Sequence, residues 1–386
     1  MSCQKTAWGE CFMIITRVPI LNFFLFFVLF SMITLPLLAG MDWDKVDPES
    51  QGFDPAKLQK AVDYLKAHSG KDGVNELVII QNNALLWNGP KIDRQHGVWS
   101  MTKSFTSTVL GLLIDEGKCS LDTKAMDILP AMAEAYPNVT LRHFTTMTSG
   151  YRAKGDKTEG GYTHGPSKTP FLPSPNPLFT PPGSKYAYWD SAMNQFANIL
   201  TKIAGEKLEI YFKRKIADPI GMDREHWDWG EFVVEDWINV NGGSGNNNRH
   251  MFITAREAAK FGLLFLRQGK WNGEQLISQE WIEQACSVQV SNDVHLADPK
   301  LSSADGPGVY GFNWWVNGIH TDGTRKWPGC PLGMFAASGY NNNDLFVIPE
   351  GKMVIARLGL DQGDHRITDG EYAEFIQKVI ASKIKK

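Results

Sequence analysis

Trp99-Ser100-Met101-Thr102-Lys103-Ser104-Phe105 sets a serine and a lysine three residues apart where an apolar helical pattern begins. Phe105, Val109, Leu112 and Leu113 recur at helical spacing with Leu110 beside them, and Gly117 supplies a stop, so the stretch reads as a core helix. Positions i and i+3 of a helix share a face, with β-carbons about 5–6 Å apart. The Ser100 hydroxyl and the Lys103 amine can therefore share a proton if both point into a cleft. A free serine is a poor nucleophile, and a lysine in an apolar pocket loses its charge more readily and can take the serine proton. The spacing alone also fits an exposed serine beside a solvated lysine. On the first turn of a buried helix, however, the pair lies where backbone N–H groups are unpaired and the helix dipole favours developing negative charge.

Outward from this helix the chain divides by pattern. Leu58, Val62 and Leu65 mark an amphipathic helix with Asp54 as its N-cap, and Leu77-Val78-Ile79-Ile80 and Ala84-Leu85-Leu86-Trp87 flank Asn82-Asn83 as a hairpin. From about Val98 to Cys286 helical periods alternate with long polar loops, and no strand is expected. Strands return at Tyr310 to Val316, Met334 to Ser338, Leu345 to Ile348 and Met353 to Leu358, followed by a helix from Glu371 to Ile384. The pattern predicts an α+β fold with one antiparallel sheet flanked by helices, built from residues 41–97 and 287–386, with an all-α domain, 98–286, inserted between them. The cleft between such parts is the default place for a site, and Ser100 stands at the handover. Gly155 to Pro182, rich in Gly, Pro, Ser, Thr and Lys, is expected to form a long loop walling that cleft.

The 386 residues are 43% apolar with a formal net charge of −3, and no basic stripe is present, which argues against a nucleic-acid partner. Residues 19–40 form a strongly apolar run preceded by Arg17 and ending in small residues. It reads as an export signal cleaved near Ala39, or as an anchor, since it is long enough to span a bilayer. Either reading predicts an exported, periplasmic or extracellular protein, with a membrane partner only if the segment is retained. Cys3 and Cys11 precede the run, and Cys119, Cys286 and Cys330 remain, an odd number that is no disulfide framework. Neither His-Glu-x-x-His nor paired Cys-x-x-Cys occurs, so no metal or organic cofactor is expected, and the Gly-x-Ser-x-Gly elbow is also absent. His143 and His250 read as structural or surface residues. Trp227, Trp229, Trp314 and Trp315 read as core or cleft-lining residues, with sugar stacking as the functional alternative.

Three further segments complete a pattern: Pro181-Pro182-Gly183-Ser184-Lys185-Tyr186-Ala187-Tyr188-Trp189-Asp190, Met147-Thr148-Ser149-Gly150, and Ala337-Ser338-Gly339-Tyr340 running into Leu345-Phe346-Val347-Ile348-Pro349-Glu350. With Ser100-x-x-Lys103 and Thr254 to Gly262, in that family's order, the chain resembles the serine hydrolases of the class C β-lactamase family, closest to its esterase and nylon-oligomer hydrolase branch. The resemblance runs from about Asp54 to the last helix and implies the β-lactamase and penicillin-binding-protein fold. It implies Ser100 as the acylated nucleophile, Lys103 as its proton partner and Tyr188 as a general base that turns acid for the leaving group. The amides of Ser100 and Tyr340 would form the oxyanion hole. Beside a lysine ammonium the Tyr188 phenol is expected to ionise more readily than usual.

The chain departs from the family's pattern at two places. Tyr-x-Asn becomes Tyr188-Trp189-Asp190, and the Lys-Thr-Gly triplet becomes Ala337-Ser338-Gly339, without a cation. Asp190, Ser338 and Gly339 are the residues expected to contact substrate, and the carboxylate of Asp190 either keeps Lys103 protonated or recognises a cationic substrate group. These departures favour a small ester or amide as substrate over a β-lactam. A D-amino-acid peptidase, a penicillin-recognising carboxypeptidase or β-lactamase, and a non-catalytic binding module on the same fold are the alternatives.

Overall fold

The computed structural model describes residues 45–157, 170–233, 237–245, 248–298 and 304–384. The apolar run at 19–40, and residues 158–169 of the expected cleft-wall loop, lie outside them. Helix α1, Pro55–Ala67, starts as its sequence dictates: the Asp54 side chain accepts from the Ala56 and Lys57 amides, Pro55 needs no partner for its nitrogen, and Leu58, Ala61, Val62 and Leu65 are buried. Strands β1, Glu76–Gln81, and β2, Ala84–Asn88, form the expected hairpin, its turn made by Asn82 and Asn83 at φ of 50° and 68°.

In chain order there follow β3, His96–Gly97, α2, Thr102–Asp115, α3, Asp190–Ala204, β4, Trp227–Trp229, β5, Met251–Ile253, and α4, Ala255–Leu266. The C-terminal part holds β6, Trp315–Val316, β7, Phe335–Gly339, β8, Asn343–Ile348, β9, Met353–Leu358, and α5, Asp369–Ala381. The main sheet is antiparallel with the order β6-β7-β8-β9-β1-β2, so strands from both ends of the chain meet at the β9–β1 pair. Period-two alternation sends Leu77, Ile79, Ala336, Phe346 and Ile355 into a core with α1 and α5. Val78, Ile80, Ala337, Leu345 and Val354 enter the opposite core, with α2 and α4. Each of the Val, Leu, Ile and Phe side chains among them, withdrawn from water, stabilises the fold by roughly 1.5–3 kcal/mol. The second core continues from the sheet through the helical middle, and the described residues form one compact unit.

Two local expectations are corrected. The strand expected at Tyr310 to Val316 shrinks to β6, because Asn313 takes a φ of 58° and the Gly311 amide turns back to the Trp314 carbonyl. The helical middle is not free of strands: β3, β5 and β4 form a small antiparallel sheet, its members too short for alternation to reveal. That sheet matters, because the Val98 amide donates to the Met251 carbonyl at 3.0 Å and so anchors the chain two residues before Ser100. Cys119, Cys286 and Cys330 are free thiols.

Candidate active site

Ser100 lies in a tight 3-10 turn, Trp99–Met101, that feeds into α2, while Lys103 is the second residue of α2 itself. Trp99 has a φ of 44°, a left-handed conformation that is strained for a bulky side chain. Ring contacts hold it there. Its indole stacks on His250 at 5.2 Å between centroids, His250 stacks on Phe252 at 5.0 Å, and the edge of Tyr340 meets Trp99 at 5.8 Å. Gly245 packs against the same turn so closely that a β-carbon there would come within 2.8 Å of the Ser100 nitrogen. From the other side, the Thr102 hydroxyl accepts from the Met251 amide at 2.9 Å.

The Lys103 ammonium, with only 1% of its side chain exposed, donates to Ser100 Oγ at 2.7 Å and to Asp190 Oδ1 at 2.8 Å. Asp190 is equally buried and is not among the residues lining the cavity that Ser100 faces. Its carboxylate therefore answers the buried ammonium, as a charge in the interior requires, and the expected contact with substrate gives way to that role. The segment around it is fixed by Asp156, which accepts from the Trp189 indole, the Ser191 hydroxyl and the Ala153 amide, each at 2.8 Å.

Tyr188 lies under Lys103, whose nitrogen is 4.4 Å from the ring centroid, and stacks on Trp315 at 6.0 Å. Burial raises its hydroxyl well above the usual tyrosine range, the Asp190 charge adds to this, and a hydrogen bond with Ser100 opposes it. The expected lowering does not occur, because burial and the Asp190 charge outweigh the hydrogen bond with Ser100. Tyr188 thus rests as a phenol that holds its proton.

At the end of β7, Gly339 closes on the nucleophile turn. A β-carbon there would lie 2.0 Å from the Val98 carbonyl oxygen and 3.0 Å from the Met101 nitrogen. This contact sets Tyr340 beside the turn that carries Ser100, where its ring meets Trp99. Ser100, Tyr188, Ser338, Gly339 and Tyr340 line a single cavity of about 510 Å³. Of the four tryptophans weighed from sequence, Trp227, Trp229 and Trp314 are buried core and Trp315 lines the cavity.

Several site residues are not evident from sequence motifs. His250 is structural, as expected, but it is structural at the nucleophile, and burial pushes its imidazole down to about 4, so it stacks as a neutral ring. Asp344 also lines the cavity. The alternation of β8 is a signal that could have found it, since it shares a face with Phe346 and Ile348.

The model of the family described as Beta-lactamase matches residues 60–374. A protein of Alkalihalophilus pseudofirmus without an assigned function is 23% identical over 295 residues, covering 72% of this chain and 78% of that one. Among solved structures, a Bacillus anthracis protein provisionally named a 6-aminohexanoate-dimer hydrolase superposes with a TM-score of 0.57 at 20% identity, covering 83% of this chain and 80% of that one. A family VIII carboxylesterase superposes with a TM-score of 0.61 at 16% identity, covering 86% of this chain and 98% of that one.

Proposed function

The chain belongs to the beta-lactamase family of serine hydrolases, and from that premise we propose that it cleaves a small ester or amide through an acyl-enzyme on Ser100. The observation that carries this reading is the 2.7 Å contact between Ser100 Oγ and Lys103 Nζ, with Asp190 2.8 Å behind the lysine. As Ser100 Oγ attacks the substrate carbonyl, its proton passes to Lys103 while a lysine proton moves onto Asp190. The negative charge growing on the carbonyl oxygen is met by the Ser100 and Tyr340 amides, a kind of contact whose loss typically costs a hundredfold or more in rate. Tyr188, which holds its proton in the resting site, gives it to the leaving oxygen or nitrogen and is reprotonated through Lys103. Water then attacks the acyl-enzyme, and the same relay returns a proton to Ser100.

Ester or amide hydrolysis fits this site better than β-lactam hydrolysis. Position 337, where the family's pattern has lysine, is a buried alanine, and the Asn position is an aspartate paired to Lys103. The apolar run at 19–40 supports export of the protein, which amino-terminal sequencing of the mature form would test.

A fluorophosphonate probe, followed by peptide mass spectrometry, is expected to label Ser100 and to label nothing in Ser100→Ala. Lys103→Met, destabilised by the unpaired Asp190 it leaves, is expected, under conditions where it is still folded, to lose at least about a hundredfold in turnover of short aryl esters. Near-normal hydrolysis by that variant would overturn the mechanism.

A further inference from the structure

The cavity's wall runs well past the nucleophile. From Tyr188 it continues through Trp315, then Lys326, 4.4 Å from the Trp315 ring, then Trp327, 5.7 Å from Phe346, and ends at Tyr372, 4.9 Å from Phe346. In this aromatic chamber lies Asp344, 8% exposed, directly across the β7–β8 pairing from Ser338. We propose that the chamber receives an organic cation, an ammonium group carried by the ester or amide substrate, with Asp344 as its counter-charge.

The charges around the chamber favour this assignment. Lys326 is already neutralised by Asp369 at 3.0 Å, and its ammonium rests over the Trp315 and Trp327 rings. Arg366 is exposed at the rim, where water screens it. Asp305 is also at the rim, half exposed and 3.6 Å from His320. Arg357 lies opposite Asp344 on β9, but its guanidinium is bound to Asp361 and to the Gly73 and Asn342 carbonyls. Asp344 itself is faced by the neutral hydroxyls of Ser338 and Tyr372, and by Asp369 from α5. Among the described residues this buried carboxyl has no ion-pair partner, and burial pushes it up to about 6 although the Ser338 and Tyr372 hydroxyls and the Arg357 charge oppose the rise. An ammonium brought in with the substrate would supply that partner, and the aromatic faces around it attract cations on their own account. The cation recognition that the sequence left open for Asp190 thus passes to a residue about 150 positions further along the chain.

This inference rests on the proposed hydrolysis at Ser100, and its test separates the two. The full chain is given acetylcholine and 3,3-dimethylbutyl acetate, which share a shape and differ by a charged nitrogen against a neutral carbon. The expected kcat/KM favours the cation by about tenfold or more, and Asp344→Asn is expected to bring that ratio close to one. Equal rates for both esters, or a cation preference that survives in a folded Asp344→Asn, would overturn the inference and leave the hydrolase reading intact. Should the variant not fold, or neither ester turn over, calorimetry on the unaltered protein decides: choline must bind at least about tenfold tighter than 3,3-dimethylbutanol, and equal affinities refute the assignment. Failure of Ser100 to label would instead count against the hydrolase reading alone.

Discussion

With both side chains about 1% exposed, Lys103 and Asp190 sit where removing one leaves the other's charge without water or partner. Breaking such a pair typically costs about 3–5 kcal/mol, whereas replacing both members by apolar groups of similar size is often neutral. Asp190→Asn is therefore expected to lower the urea midpoint markedly and to abolish most turnover. Lys103→Met combined with Asp190→Leu should recover most of the stability and none of the activity. Urea unfolding and aryl-ester hydrolysis on the same preparations check both halves. If Asp190→Asn were as stable and active as the native chain, Asp190 would neither balance Lys103 nor take part in the relay. The same local reading explains Tyr188, whose hydroxyl is governed first by its burial and only then by the Asp190 charge and its bond to Ser100.

At the scale of elements, the site is a meeting of two turns. The 3-10 turn of Trp99–Met101 is gripped by β5 through Val98 and Thr102, and by the rings of His250 and Tyr340. The turn after β7 is brought down upon it by Gly339, which has room for no side chain. Gly339→Ala would place a methyl group 2.0 Å from the Val98 carbonyl, a backbone atom that cannot swing aside. The two turns must then part. The expected result is a loss of about a hundredfold in kcat/KM, as for a displaced oxyanion donor, and a stability loss of about 1–3 kcal/mol from overpacking. Steady-state kinetics and thermal unfolding measure the two effects separately. An alanine variant with native kinetics would show that the Tyr340 amide is not held in place by this contact.

Across the whole molecule, two buried groups oppose each other in their response to pH. Asp344, raised to about 6 in the fold, binds a proton there that the unfolded chain releases near 3.9, so its contribution to stability falls as pH rises from about 4 to 6. His250, lowered to about 4, is neutral in the fold while the unfolded imidazole takes a proton below about 6.5, so its contribution rises from pH 4 to 6.5. Each effect amounts to roughly 3 kcal/mol, and they largely cancel. Asp344→Asn is expected to unmask the histidine, making the thermal midpoint climb with pH between 4 and 6.5. A flat profile in that variant would contradict the assignment. Sequence alone determined what is local. The Ser-x-x-Lys spacing, the Asp54 cap, the Asn82-Asn83 hairpin and the late alternating strands are each written within a few residues, because helices and strands have short periods. The family's motifs extended that reading to Tyr188 and to the turn after Gly339. The tertiary structure decided what depends on distant neighbours: that Asp190 faces Lys103 and not the cavity, that burial holds the proton on Tyr188, that three short strands brace the nucleophile, and that Asp344 opens onto the Ser100 cavity. Charge and burial act through space, and the residues that set them here lie as many as 87 positions apart in the case of Lys103 and Asp190, a separation no local pattern encodes.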